Sequence, residues 1–280
     1  MSTHLRRRDF LTLTGAAFVA AASFPSSMVA APGGPSGKKG FGTPIGSDAQ
    51  WRSRLEALRA KWFYTWGDAI PAGVPEGVEF VPMIWGWSGQ DDKVQLLRRQ
   101  GAAGKVHHLL GFNEPDQHDQ SNLTVEKALA VWPKLMETGL PLGSPGCVFP
   151  DREWMKQFLR GVQERRLRVD FICVHSYQGP DAKGLLRWLQ GIHEMYGGRP
   201  LWLTEFAVGD WQARSVQQNR FSPKRIADFM REVLPALEAA RFVQRFAWFS
   251  GPPDSAALGT SALFDRNGRL TELGEIYRAF

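Results

Sequence analysis

The sequence predicts a (β/α)8 barrel. Short apolar runs alternate eight times with segments whose apolar residues recur at helical spacing. Such alternation means parallel strands joined by crossover helices. The side chains able to do chemistry also cluster at the C-terminal ends of the apolar runs, where barrels of this class carry their sites. A length of 280 residues, 43% of them hydrophobic, suits one barrel of about 250 residues. No Gly-x-Gly-x-x-Gly follows the first run, which argues against an open dinucleotide-binding sheet.

The first 31 residues stand apart from this pattern. Arg6, Arg7 and Arg8 precede Asp9-Phe10-Leu11 and a mild apolar run that ends at Ala22, followed by small residues up to Ala30 and Ala31. This is the order of a twin-arginine export signal with its cleavage zone. The apolar run is about a dozen residues, short of the ~20 needed to cross a bilayer. The expected organisation is a signal peptide over 1–31, a Gly/Pro/Ser/Lys linker over 32–38, and one catalytic barrel over 39–280. A secreted or periplasmic protein follows, with no membrane span once the signal is removed.

The candidate strands are KGFGTP (39–44), KWFYTWG (61–67), EFVPMIWG (79–86) and VHHLLGFNEP (106–115). LPLGSPGC (140–147), VDFICVHSY (169–177), PLWLTEFA (200–207) and QRFAWFSG (244–251) complete the set. Between them, Trp51/Leu55/Leu58, Val94/Leu97, Ala128/Val131/Leu135 and Trp154/Phe158/Val162 mark helix faces. Leu185/Trp188/Ile192 and Ile226/Phe229/Val233 mark two more, and a last helix from about Leu270 turns Leu273, Ile276 and Tyr277 inward. Thr124, and Ser222 followed by Pro223, have the chemistry of helix starts.

Two of the apolar runs end on carboxylates. GFNEPD (111–116) and WLTEFA (202–207) place Glu114 and Glu205 91 residues apart, about two to three βα units. Two carboxylates facing one cleft are the minimum machinery for cleaving a glycosidic bond. Asn113 and Glu114 close the fourth run, His175 and Tyr177 the sixth, and Glu205 the seventh. Trp248 lies in the eighth run, while Trp66, Trp85 and Trp87 follow the second and third. His175 and Tyr177, two residues apart, share a strand face. Asn113 and Glu114 are adjacent, so a bulge or a twist at the strand end is needed to turn both inward. Glu114 is expected to be the general acid/base, because the charge of Glu205 beside it disfavours a second anion. Glu205 is expected to be the nucleophile, kept ionised by a hydrogen bond from Tyr177 or a neighbour.

Eleven tryptophans offer flat faces for stacking on sugar rings. Trp66, Trp85 and Trp248 are the expected sugar platforms, with Trp87 and Trp211 as further loop candidates. Trp51, Trp132, Trp154 and Trp188 fall on helix faces and are assigned to packing.

Other chemistries find less support. His107 and His108 are adjacent in a run and point to opposite faces, so they cannot share one ion, and no metal is expected. Asp116 and His118 follow the acid in its loop and are candidates for substrate contact. Ser144 and Ser250 lack a nucleophile elbow around them. The two cysteines, Cys147 and Cys173, are expected as free thiols, since twin-arginine cargo folds in a reducing cytoplasm. The net charge of +6 falls to about +4 without the three arginines and one aspartate of the first 31 residues. Its arginines sit at ordinary helix-terminal positions such as 97–100 and 164–168, so nucleic-acid binding is not expected. No cofactor is implied, and a monomer is expected.

Together FVPMIWG (80–86), LLGFNEPD (109–116), LGSPG (142–146), VHSY (174–177) and WLTEFA (202–207) resemble glycoside hydrolase family 128, the β-1,3-glucanases of clan A. The resemblance spans 39–280. It implies a retaining mechanism on β-1,3-glucan, cleaved internally, with the Asn113 amide on the 2-hydroxyl of the sugar at the point of cleavage. Ser176 and the run Gly42-Thr43-Pro44 depart from the family pattern and bear on the subsites. Alternatives are a clan A hydrolase for another β-glycan, and a glucan-binding barrel with little turnover.

Overall fold

A computed structural model describes residues 37–45 and 50–280, all within one compact unit that spans Pro35–Phe280. The expected signal peptide and all but the last two residues of the linker lie outside the described residues. No described helix is long and apolar enough to cross a membrane.

Among the described residues, six strands form one parallel sheet: β1 (Lys39–Gly42), β2 (Trp62–Tyr64), β3 (Glu79–Phe80), β4 (Ile172–Ser176), β5 (Leu201–Phe206) and β6 (Val243–Phe249). Their order is β3-β2-β1-β6-β5-β4. The two edges are joined by the fourth and fifth apolar runs, which pair only through isolated parallel bridges. Met83 meets Leu110, Leu109 meets Leu142, Asn113 meets Gly146, and Gly143 and Cys147 meet Phe171 and Val174. Eight chain positions therefore close the barrel, two of them without a continuous ladder. The sequence reading expected regular strands there. Pro82, Pro141 and Pro145 interrupt this arc, and proline has no N–H to donate. Pro82 and Pro141 still accept, from Leu110 and Leu109 at 2.9 Å each. Ser144 Oγ stands in as acceptor for the Cys173 N–H at 3.0 Å.

Among the described residues, seven α-helices surround the barrel: α1 (Gln50–Leu58), α2 (Asp91–Ala102), α3 (Val125–Met136), α4 (Glu153–Glu164), α5 (Ala182–Met195), α6 (Pro223–Ala239) and α7 (Glu272–Ala279). Their buried faces follow the predicted spacing, with Val131, Trp154, Trp188 and Ile276 only half-buried at the margins. Thr124 Oγ1 accepts from the Lys127 N–H, and Ser222 Oγ from the Arg225 N–H with Pro223 in the first turn. Both expected helix starts are thus capped by their own hydroxyls.

The barrel interior is filled by large rings, which sets the size relation between β1 and β2. In register, Gly40 faces Trp62 and Gly42 faces Tyr64. A Cβ at Gly40 would lie 2.2 Å from the Trp62 ring, and one at Gly42 would lie 2.9 Å from the Tyr64 hydroxyl. Glycine on one strand thus admits a bulky aromatic on the next. Trp202 stacks on Phe171 at 4.1 Å in the same layer. At the N-terminal end of the strands, Glu79 binds His108 at 2.7 Å and Arg245 at 2.6 Å, and the Arg245 guanidinium lies 4.2 Å over Trp202. The mouth at the opposite end carries the candidate site residues.

Candidate active site

Glu114 and Glu205 face each other across a cleft of about 980 Å³ at the C-terminal ends of the strands. Glu205 is the fifth residue of β5, where a register shift against β4 pairs it with His175. Glu114 follows Asn113 with φ of +40°. That left-handed turn is the strand-end twist the sequence required, since a straight strand would send Asn113 and Glu114 to opposite faces. A non-glycine residue there carries strain of roughly 1–3 kcal/mol, and such strain concentrates at functional sites. Trp66 has the same feature, with φ of +58°. The Glu114 N–H is fixed by the Gly146 carbonyl at 2.8 Å.

His175 joins the two acids. Its Nδ1 lies 2.8 Å from Glu114 Oε1 and 3.6 Å from Glu205 Oε2. One oxygen from each glutamate and a nitrogen of His175 all lie within 4.8 Å of one another. Burial alone would push the imidazole down, but the charge of Glu205 and the hydrogen bond and charge of Glu114 outweigh it, so its pKa is raised. Gly146 makes room for the ring: a Cβ there would sit 2.7 Å from His175 Nε2.

Glu205 is held by neutral donors. Oε1 accepts from Trp66 Nε1 at 2.8 Å and from the Tyr64 hydroxyl at 3.1 Å, while Oε2 accepts from the Tyr177 hydroxyl at 2.5 Å. Burial, then the charge of Glu205, pushes both tyrosines well above their ordinary range, so both stay protonated as donors. Three ligating side chains this close have the outline of a metal site. Here Glu205 already accepts from three donors, two on Oε1 and one on Oε2, and His175 Nδ1 is engaged by Glu114. The arrangement therefore suits proton transfer and charge stabilisation better than coordination.

The other expected residues divide. Asn113 lines the cleft; its Nδ2 donates to Gln120 at 3.2 Å, and its Oδ1 is buried with no protein partner. An acceptor left open at the cleft wall suits a substrate hydroxyl. Trp85, 39% exposed, and Trp211, 65% exposed, stand in the cleft wall. Trp66 is in that wall too, but its N–H is committed to Glu205.

Trp248 is a correction. It is fully buried against Phe206 at 4.9 Å, with Nε1 donating to the Ser261 carbonyl at 3.0 Å, so it cannot stack on a sugar. Strand alternation explains the swap: Phe249, its neighbour, faces the cleft and meets Tyr177 and Trp66 edge-on at 5.5 and 5.8 Å. Trp87 packs on the core outside the cleft, whereas Trp188, assigned to packing, reaches the cleft and donates to Asp151 at 3.1 Å. Asp116 does not line the cleft. It accepts the Val148 and Phe149 N–H groups at 3.1 and 3.0 Å and so ties the loop after Glu114 to the next one. His118 is exposed outside it. Cys147 and Cys173 are free and buried.

Tyr64 and Phe249 were not singled out from sequence. Tyr64 was legible in principle: Trp62, Tyr64 and Trp66 share one strand face at a spacing of two. Phe149 and Arg152, stacked at 4.1 Å in the cleft wall, come from a loop that carries no pattern.

The family described as the glycosyl hydrolase catalytic core matches residues 41–277. Among solved structures, a family 128 (subgroup I) endo-β-1,3-glucanase from Amycolatopsis mediterranei, in complex with laminaritriose, is 36% identical. The match covers 87% of this chain and 99% of that one, with a TM-score of 0.71. A family 128 (subgroup III) curdlan-specific exo-β-1,3-glucanase from Blastomyces gilchristii, in complex with glucose, is 28% identical over 87% of this chain and 98% of that one, at a TM-score of 0.67. Alkali-sensitive linkage protein 1 of Schizosaccharomyces pombe is 28% identical over 252 residues. That match takes in 86% of this chain but only 44% of the relative's length.

Proposed function

We propose, from the premise that this chain belongs to the glycosyl hydrolase catalytic core family and to glycoside hydrolase family 128, that it is a retaining endo-β-1,3-glucanase. The observation that carries the reaction is the spacing of the acids. A Glu114 oxygen and a Glu205 oxygen lie within 4.8 Å of each other. Retaining glycosidases hold their carboxyl groups about 5–5.5 Å apart, whereas inverting ones leave about 6.5–9.5 Å for a water. Glu205 attacks the anomeric carbon as Glu114 gives its proton to the leaving oxygen. The glycosyl-enzyme is then hydrolysed by a water that Glu114 deprotonates. His175 steadies the proton on and off Glu114 from 2.8 Å. Asn113 Oδ1 accepts from the 2-hydroxyl, and Trp85 and Trp211 supply ring faces to the chain.

The β-1,3 linkage is supported by the family 128 relatives, and endo action by the higher identity to the endo-acting one. The segment 1–31 is read as a twin-arginine signal, 39–280 as the catalytic domain, and the mature protein as a secreted or periplasmic monomer. N-terminal sequencing of exported protein tests the cleavage site expected near Ala30.

The deciding experiment is product analysis on laminari- and cello-oligosaccharides in parallel, with Glu114→Gln and Glu205→Gln as controls. Cleavage of the β-1,3 series alone, lost in both variants while Glu205→Gln still binds, is the expected result. Cleavage of the cello series would keep the mechanism and overturn the linkage. Wild-type rates in Glu205→Gln would overturn the mechanism.

A further inference from the structure

Tyr64 is fully buried, and its hydroxyl oxygen lies 3.0 Å from the Thr204 carbonyl oxygen and 3.1 Å from Glu205 Oε1. A phenol has one proton, and both of these neighbours only accept. They therefore compete for it. An anionic carboxylate wins, because hydrogen bonds to charged acceptors are roughly twice as strong as neutral ones. Once Glu205 is esterified by the sugar, Oε1 becomes a neutral ester oxygen, and the Thr204 carbonyl accepts the hydrogen bond at no geometric cost. Trp66 has no such choice: its N–H has Glu205 Oε1 as its partner.

The two carboxylate oxygens are also filled unequally. Oε1 receives two donors, from Tyr64 and Trp66, whereas Oε2 receives the Tyr177 hydroxyl and lies on the side of His175 and Glu114. Oε2 keeps a lone pair and points toward the acid, so it is the oxygen that attacks.

We propose that Tyr64 is a positioning residue whose hydroxyl hydrogen, staying bonded to the phenol, turns between Thr204 O and Glu205 Oε1 through the catalytic cycle, favouring the free carboxylate over the glycosyl ester. This rests on Glu205 being the nucleophile. Stabilising the carboxylate makes Glu205 a better leaving group when water attacks, so Tyr64 speeds the second half-reaction. In the first half-reaction the same bond steadies the ground state and does not accelerate attack. Only the tyrosyl O–H turns, with no bond made or broken, and it points at Oε1 again when the ester is hydrolysed.

Tyr64→Phe removes the hydroxyl and leaves the ring packed against Gly42. With an aryl β-laminaribioside whose phenol leaves easily, the variant should release one equivalent of phenol in a burst. Its steady rate should then be about ten- to a hundredfold below wild type. Intact-mass measurement during turnover should show the glycosyl adduct accumulating, and the acid limb of kcat/KM should move to higher pH. Tyr64→3-fluorotyrosine, a stronger donor of nearly the same shape, should shift both readouts the other way, and it serves if the phenylalanine variant does not fold.

A merely structural role would slow both half-reactions together, with no burst and no adduct, and would overturn the proposal. Peptide mapping separates the two levels of the argument. An adduct on the Glu205 peptide that does not increase in Tyr64→Phe sinks the turning hydroxyl alone. An adduct on any other residue sinks the nucleophile assignment beneath it.

Discussion

His175 Nδ1 lies 2.8 Å from Glu114 Oε1, with the ring fully buried between the two acids. The contact raises the pKa of His175 against the pull of burial. A raised folded-state value adds stability that is complete below the unfolded value of about 6.5 and is lost as pH rises through the folded value. His175→Asn should therefore lower Tm more at about pH 5.5 than at about pH 9. Calorimetry at the two pH values measures the difference, and an equal loss at both would show that His175 is not protonated against Glu114.

Glu79 titrates in the opposite sense. Burial works against its charge, but hydrogen bonds from His108 and Arg245, and their charges, hold it down to about 2. Its contribution is present above the unfolded value of about 4.5 and is lost as pH falls through about 2. The group is partly exposed, so the stabilisation is discounted to about 1–2 kcal/mol. Glu79→Gln should lower urea-unfolding stability by that amount at neutral pH, with the gap closing in strong acid. A constant gap would mean that packing, not charge, is lost.

Gly146 leaves the space that the His175 ring occupies. Gly146→Ala should push the imidazole off Glu114 and lower kcat by about tenfold or more, while KM changes little. An unchanged kcat would show that the ring need not stay where it is.

Trp248 and Trp85 should part company on truncation. Trp248→Ala empties a filled site and strands the Ser261 carbonyl, so stability should fall by about 3–5 kcal/mol, with KM for laminari-oligosaccharides kept in whatever folds. Trp85→Ala should leave Tm nearly unchanged and raise KM severalfold, as loss of an exposed ring platform would. A raised KM with normal stability in the Trp248 variant would return that side chain to the cleft.

Much of this protein was legible in one dimension. Alternation of apolar runs with helical spacing set the barrel, because periodicity reports which side of an element faces the core. Carboxylates at the ends of two runs marked the candidate site, because parallel barrels present those ends to solvent together. The caps at Thr124 and Ser222 are local chemistry and needed nothing beyond their neighbours. Tertiary structure decided the rest. Prolines reduced the fourth and fifth strands to isolated bridges, since a ladder depends on donors in the adjoining chain as well as its own. The φ of +40° at Glu114 and the shifted pairing of His175 with Glu205 turned side chains by steps that period-two counting cannot register. Trp248 lost its expected place to Phe249 because one residue of phase exchanges the inside of a strand for its outside. The contest of Thr204 and Glu205 for one Tyr64 proton exists only where β2 meets β5, a distance relation that no spacing along the chain encodes.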